Sequence, residues 1–210
     1  MTFKAFGLAA GFALVCAAAQ ATPVSPVSYD MQNGGTGSLT YWDDTYDGTG
    51  ATTTSYSALS GGTGDLTDGV IATGNWFVSG QTPLYVGWLS RNPVITFRFD
   101  QAYDFTSATF YFDDSDGTGG VAQPNSVSIN GVNELVPTNA GRAPFSFTYD
   151  LTGTTTDTLT AQLFRRSSWV FLSEVTFEAD VAPVPVPAAG GLLLAGLAGL
   201  GALRRRARKG

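Results

Sequence analysis

Short segments in which apolar and polar residues alternate recur through the second half of the chain. In residues 93–100, Ile95, Phe97 and Phe99 share one face, and the residues between them share the other. The same period of two recurs at 108–112, 127–129, 145–149, 159–163 and 175–177. A period of two is typical of strands that bury one face, and no long helical period interrupts these segments. The pattern predicts six strands of an all-β, antiparallel β-sandwich, with a barrel as the alternative.

A weakly patterned stretch, residues 29–75, precedes these strands and is rich in Gly, Thr and Ser. It nevertheless carries apolar anchors that disordered segments seldom have: Tyr41, Trp42, Tyr46, Leu59, Leu66, Val70 and Ile71. We expect long surface loops and one or two strands that wrap around the sandwich.

The N-terminal segment has the three parts of a secretory signal peptide. Lys4 supplies positive charge, residues 5–19 are apolar, and Ala19-Gln20-Ala21 forms a cleavage site. We expect signal peptidase to cleave after Ala21, which makes residues 1–21 the signal peptide and 22–180 the exported domain. A permanent membrane helix is the alternative, but the apolar run is short.

The C-terminal segment combines a spacer, an apolar helix and a basic tail. Residues 181–187 are rich in proline, 188–203 contain only Ala, Gly and Leu, and 204–210 are strongly basic. At about 1.5 Å per residue, a helix over 188–203 is about 24 Å long, and flanking arginines can extend its reach across the bilayer. We predict a transmembrane helix, with the basic tail in the cytoplasm.

This order of elements resembles the PEP-CTERM family of sorting signals in its VPLPA-CTERM variant. The residues that carry the resemblance are Val184, Pro185, Val186, Pro187 and Ala188, followed by the helix and the terminal arginines. The motif differs from the commonest form because no Glu stands between the prolines. The resemblance implies recognition by an exosortase, removal of the tail, and delivery to the cell surface or extracellular matrix of a Gram-negative bacterium. A plain membrane anchor is the alternative.

Charge and composition exclude several partners and reaction types for residues 22–180. This segment holds all 17 acidic residues of the chain, only five arginines and no lysine, a net charge of −12. Nucleic acid is therefore not an expected partner, since its binding depends on Lys and Arg. The chain has no His and one Cys, which excludes His-dependent nucleophilic catalysis and Cys-rich metal sites.

Four segments of residues 66–177 resemble the discoidin-like, or galactose-binding-like, jelly-roll superfamily. They are Leu66-Thr67-Asp68-Gly69 followed by Trp76, then 92–100, 105–112 and 169–177. The resemblance implies a jelly-roll sandwich that binds sugars. It also implies a structural calcium ion held through Asp68 and Glu174.

A second candidate for calcium comes from the residues themselves. Asp113, Asp114 and Asp116 place hard oxygen ligands in one loop, although the spacing does not fit an EF-hand. The alternative is a turn whose Asp side chains form local hydrogen bonds.

Sugar binding requires an exposed aromatic ring with polar groups nearby. Three loop positions fit: Trp42 beside Asp43, Trp76, and Trp88 near Arg91 and Asn92. Burial of each Trp in the core is the alternative.

Three functions are consistent with these features. The first is a binding module for carbohydrate, such as an extracellular polysaccharide. The second is a structural matrix protein without a defined ligand. The third, a glycosidase-like enzyme, would depend on a carboxylate pair that no motif identifies, and we expect no catalysis.

Overall fold

Alternating segments of the sequence form nine strands in a computed structural model, which describes residues 21–35 and 39–180. The strands are β1 Ala21–Val24, β2 Ser28–Gln32, β3 Ala58–Gly62, β4 Val86–Leu89, β5 Val94–Phe112, β6 Ser126–Ile129, β7 Val132–Leu135, β8 Phe145–Phe164 and β9 Trp169–Asp180. Two 3₁₀ turns lie at Thr82–Leu84 and Thr118–Gly120. Most of the signal peptide, together with the spacer, sorting motif, apolar helix and basic tail, lies outside the described residues.

Every strand pairing is antiparallel, and the two longest strands belong to both layers of a sandwich. The first part of β5 and the last part of β8 form one layer. In this layer, β2 and β3 lie on one side, and β6 and β7 lie on the other. The remaining parts of β5 and β8 form the second layer with β9, whose outer edge pairs with β4 and β1. The register of β5 breaks between Arg98 and Tyr103, where the strand passes from one layer to the other.

The core lies between the layers and is rich in aromatic rings, which pack among aliphatic side chains. Phe97 in the first layer meets Phe177 in the second with ring centroids 4.9 Å apart, and Phe99 meets Phe177 at 5.1 Å. Edge-to-face pairs of this kind are the favoured geometry for buried aromatic side chains. The alternation predicted for residues 95–99 is confirmed, because Ile95, Phe97 and Phe99 are buried.

The predicted all-β antiparallel architecture is confirmed, but the predicted strands differ from the observed ones in two respects. The strands β1, β4 and β7 were not predicted. Residues 94–100 and 108–112 belong to the single strand β5, and 145–149 and 159–163 belong to β8. Strand pairing resumes directly after each bend, so the polar residues at the bend do not end the strand. The expectation for residues 29–75 is met by β2 and β3.

Four connections join the layers at the same end of the sandwich, which we call the loop end. They are residues 90–93, 113–125, 136–144 and 165–168. Backbone hydrogen bonds hold them together, since the N–H of Ser90 donates to the carbonyl of Ser168 (2.7 Å) and that of Asn125 to Phe164 (2.7 Å). Within residues 21–35 and 39–180, no helix is long and apolar enough to cross a membrane.

Candidate functional site

Positive charge gathers at the loop end. Four of the five arginines in residues 22–180 lie in its connections: Arg91, Arg142, Arg165 and Arg166. The fifth, Arg98 on β5, pairs with Asp30 at 3.0 Å. The acidic domain therefore presents its cations mainly on one surface.

A cavity of about 400 Å³ lies at this end, between the end of β2, the end of β4 and the start of β5. We call it the Arg91 pocket, and it is lined by Gln32, Trp88, Arg91, Asn92, Pro93 and Val94. Its volume lies within the range of about 300–1,000 Å³ that is typical of ligand pockets. Charged, amide and apolar groups thus converge on one concave surface.

Arg91 is held in the pocket by an aromatic ring rather than by a carboxylate. Its guanidinium lies 4.0 Å from the ring centroid of Tyr56, a cation–π contact. Nη1 of Arg91 donates to Oε1 of Gln32 at 3.5 Å, a long hydrogen bond. No acidic side chain among residues 21–35 and 39–180 forms an ion pair with Arg91.

The backbone beside the pocket has unusual dihedral angles. Tyr56 has φ of 60° and Ser90 has φ of 55°, in the left-handed region that non-glycine residues seldom adopt. Such residues cost about 1–3 kcal/mol each and cluster at ligand-binding sites. Asn130 also has a positive φ, but there the Asn130-Gly131 turn of the β6–β7 hairpin explains it.

Asn92 fixes the loop that carries Arg91. Its Oδ1 accepts a hydrogen bond from the backbone N–H of Arg165 at 3.1 Å. Two arginines are thereby brought to the same side of the loop end. Arg91 and Asn92, predicted from the sequence, do lie together in a pocket.

The aromatic platforms expected from the sequence are not exposed as predicted. Trp88 is fully buried, and its Nε1 donates to the carbonyl of Gln32 at 2.8 Å, so its ring cannot cover a sugar. Trp42 is half-buried, donates to Oγ of Ser55 at 3.2 Å and does not line the Arg91 pocket.

Asp43 is also a correction, because its carboxylate is fully buried and already occupied. It accepts hydrogen bonds from the Tyr29 hydroxyl and from the backbone N–H of Asp65 (3.0 Å). Burial raises the pKa of Asp43 to about 6. Asp43 therefore anchors the loops of residues 41–66 to β2 and is not available to a ligand.

Gln32 and Tyr56 were missed by the sequence analysis. Both lie in the weakly patterned N-terminal part, where neither spacing nor neighbouring residues mark them. Gln32 ends the short strand β2, and the position of Tyr56 depends on a left-handed backbone that no glycine signals. Only the folded chain brings them beside Arg91.

The structure does bring Asp68 and Glu174 into one neighbourhood. The backbone N–H of Gly69 donates to Oε2 of Glu174 at 3.0 Å, across a sequence separation of 105 residues. Glu174 is 3% exposed, and burial, reinforced by the negative charge of Asp68, raises its pKa to about 8. The sequence pattern placed Glu174 toward solvent or toward a loop, and it lies against the loop.

A small cavity of about 130 Å³ adjoins this pair, and Thr67, Gly69 and Glu174 are among its lining residues. The hydroxyl of Thr67 is buried without a hydrogen-bond partner. The buried carboxylate of Glu174, which forms no ion pair with a basic side chain in the described residues, and the unpaired hydroxyl oxygen of Thr67 are hard oxygen ligands. Calcium prefers ligands of this kind. In the described part of the chain, no cluster of three or more acidic, His or Cys side chains is arranged to hold a metal ion, so backbone and hydroxyl oxygens would complete the set.

The acidic loop after β5 forms the local hydrogen bonds that were the alternative to calcium. Asp113 is buried and accepts from Nδ2 of Asn75 (3.1 Å), from the backbone N–H of Trp76 and from Ser115. Both carboxylate oxygens of Asp113 therefore accept hydrogen bonds from within the protein, and they hold the loop that carries Trp76.

The other two aspartates of this loop line a second cavity of about 290 Å³ opposite Arg166. Asp114 is buried and accepts from the N–H of Asp116 at 3.3 Å, while exposed Asp116 lies 3.8 Å from Arg142. The arginines next to these carboxylates make the cavity less suited to a cation.

Comparison with known proteins identifies the fold family. Residues 25–179 match the family described as Discoidin domain-containing receptor 1/2, DS-like domain. The match confirms the discoidin-like resemblance drawn from the sequence. A comparison with curated protein sequences found no match.

Solved structures of similar fold include three sugar-binding proteins. The CBM32 of AlyQ in complex with 4,5-unsaturated mannuronic acid is 14% identical, with 74% of this chain and 97% of that chain covered and a TM-score of 0.39. A fucose binding module from Streptococcus pneumoniae is 14% identical (66% and 95% covered, TM-score 0.42). A fucolectin from striped bass, Morone saxatilis, is 12% identical (78% and 50% covered, TM-score 0.44). With TM-scores below 0.5, these likenesses transfer no ligand to this chain.

Proposed function

Because the chain belongs to the family of the discoidin domain-containing receptor 1/2 DS-like domain, we propose that its β-sandwich is a carbohydrate-binding module. The binding site is the Arg91 pocket. The observation that carries this proposal is the pocket itself, where Arg91 stacks on Tyr56 beside two amide side chains and two strained residues.

The pocket offers the groups that sugar recognition requires. The guanidinium of Arg91 and the amides of Gln32 and Asn92 can bond hydroxyl groups, because they combine donors and acceptors. Val94, which is 44% exposed and follows buried Pro93, provides an apolar surface for the C–H face of a sugar ring. An aliphatic wall thus takes the place of the exposed Trp expected from the sequence.

A glycan array with the isolated domain tests this proposal. Residues 21–181 form one compact unit with its own core, so the fragment is suitable. We expect binding to at least one glycan, and at least about tenfold weaker binding after Arg91→Ala. Arg142→Ala is the matched control, since Arg142 is exposed at the same end and lies outside the pocket.

The alternative functions predict other results. A structural matrix protein without a ligand would bind no glycan, and a glycosidase-like enzyme would release shorter sugars on incubation. The absence of glycan binding contradicts the proposed function, whereas the release of shorter sugars contradicts a module that binds without catalysis.

We also propose that the domain is exported and sorted to the cell surface or extracellular matrix of a Gram-negative bacterium. The supporting features are sequence motifs: the cleavage site ending at Ala21, and the sorting motif 184–188 with its helix and basic tail. Signal peptidase, exosortase and the inner membrane are the implied partners during export. An extracellular polysaccharide is the implied ligand afterwards.

We further propose a structural calcium ion held by Asp68 and Glu174, with the hydroxyl of Thr67 and nearby backbone carbonyls as further candidate ligands. The buried, unpaired oxygen of Thr67 and the buried carboxylate of Glu174 support it. Bound calcium would stabilise the ionised carboxylate and fasten the 66–69 loop to β9. Titration with calcium should raise the melting temperature, and no rise at millimolar calcium would refute the site.

A further inference from the structure

We propose that the Arg91 pocket selects a sugar that carries a carboxylate, so that the polysaccharide partner is acidic. This inference rests on the proposed carbohydrate-binding function and names the substrate class for that same site.

Arg91 carries a positive charge that no acidic side chain in the described residues neutralises. Arg98 donates to Asp30 from both Nε (3.2 Å) and Nη2 (3.0 Å), and Arg142 lies near Asp116. Arg91 has neither kind of partner in the described residues and contacts only a ring and one distant amide oxygen. Because no acidic side chain in the part of the chain that the structure describes neutralises this guanidinium, a carboxylate on the ligand would supply the complementary charge.

Arg91 is held from one side by an aromatic ring. Its guanidinium carbon lies over the ring of Tyr56, 4.0 Å from the centroid, and its N–H donors have only Gln32 as a hydrogen-bond partner in the described residues. A planar fork of donors fits the two oxygens of a carboxylate, and charge-assisted bonds of this type are about twice as strong as neutral ones. Lys in the same position would provide charge without the fork.

Arg165 is a second arginine at the loop end, and its backbone contacts the loop that carries Arg91. The N–H of Arg165 is bonded to Asn92, next to Arg91, and Nη1 of Arg165 donates only to the carbonyl of Ser167 (2.9 Å). Arg165 also has no ion pair within residues 21–35 and 39–180. Two cations without acid partners, in two neighbouring connections of the loop end, suit successive charges along an acidic chain.

The charge of the whole domain makes the selection stricter. With a net charge of −12 over residues 22–180, the other surfaces repel a polyanion. Screening limits this effect to about 8 Å at physiological salt, so contacts at the loop end decide the binding. We therefore expect one binding orientation and a clear dependence on salt.

The experiment compares acidic oligosaccharides with their own neutral forms. Oligomers of galacturonate, glucuronate and mannuronate are each measured by calorimetry against the carboxyl-reduced oligomer of the same length and linkage. We expect at least one acidic oligomer to bind about tenfold or more tightly than its neutral form. The preference should shrink when sodium chloride is raised from about 0.05 M to about 0.5 M.

Variants of two arginines connect the preference to the pocket. Arg91→Ala should abolish the preference, Arg91→Lys should retain a small part of it, and Arg142→Ala should leave it intact. Equal or better binding of the neutral form in every pair that binds would overturn this inference but leave the proposed function standing. Failure of every oligomer here and every glycan on the array would overturn both.

Discussion

Tyr56 shows how one side chain prepares the Arg91 pocket. Its backbone is strained at φ of 60°, its hydroxyl donates to the carbonyl of Leu89 at 3.2 Å, and its ring supports Arg91. The strain is compensated by contacts elsewhere in the fold, as is usual at binding sites. Under the proposed function, we therefore expect the ring of Tyr56, rather than its hydroxyl, to affect ligand binding.

Replacement of Tyr56 separates the two roles. Tyr56→Leu removes the ring and should weaken binding about two- to fivefold, the equivalent of an exposed cation–π contact of about 0.5–1 kcal/mol. Tyr56→Phe keeps the ring and should bind like the wild type. Calorimetry with the best ligand from the glycan array measures both, and equal losses in the two variants would contradict the stacking role.

Glu174 makes the stability of the domain depend on pH. Its pKa is raised from 4.5 to about 8 by burial and by Asp68, so the folded state holds a proton that the unfolded chain has released. Without calcium, the free energy of unfolding therefore falls as pH rises from about 5 to 8, by up to about 1.4 kcal/mol per unit. Buried Asp43 and Asp65, with pKa values of about 6 and about 7, contribute in the lower part of this range.

Urea unfolding between pH 7 and pH 9 in a chelator isolates the contribution of Glu174. The wild type should lose stability with rising pH, whereas Glu174→Gln should lose less, because its amide keeps an acceptor for Gly69 and does not ionise. Added calcium at pH 8 should restore stability to the wild type only. The same pH slope in both proteins would show that Glu174 is not the group concerned.

At the scale of elements, β4 positions the pocket through a close approach to β9. A Cβ atom on Gly87 would lie 2.2 Å from Cε1 of Phe171, so only glycine fits there. Gly87→Ala should cost about 1–3 kcal/mol of unfolding free energy through overpacking, measured by urea denaturation. Gly141→Ala is the control, since its Cβ would meet nothing closer than 3.7 Å and should leave stability unchanged.

The strands themselves were largely predictable, because the period-two pattern records which face of each strand is buried. Ile95, Phe97 and Phe99 alternate and are buried as expected. The joining of two predicted segments into β5 was not predictable, since pairing with β8 on both sides of the bend continues the strand through polar residues. That pairing joins residues that are far apart in the sequence, so the residues around the bend do not indicate it.

At the scale of the whole molecule, the site was predictable only in part. Arg91 and Asn92 stand together in the sequence near a Trp, which was enough to suggest a polar binding loop. Trp88 was misassigned because it lies in β4, and burial of a strand residue depends on the layer that covers it. Tyr56 and Gln32 join the pocket through tertiary contacts across 33 and 56 residues, a range that spacing does not encode.

The two ends of the described domain also meet, and this bears on its processing. Ala21 in β1 is the register partner of Asp180 in β9. The following three residues of β1 pair with the three residues of β9 that precede Asp180. Cleavage after Ala21 would remove one of four pairs at a sheet edge, which leaves the strand in place. We therefore expect the exported protein to begin at Thr22 and to melt at the same temperature as a domain that begins at Ala21.

Mass spectrometry of the protein recovered from the cell surface tests this expectation together with sorting at the other end. The intact mass should correspond to a chain that begins at Thr22 and lacks the basic residues 204–210. Replacement of Pro185 and Pro187 by Ala should leave the N-terminal cleavage unchanged but retain the full C-terminus in the inner membrane. If that variant is processed and released like the wild type, the proline motif is not a sorting signal and residues 181–210 act as something other than an exosortase substrate.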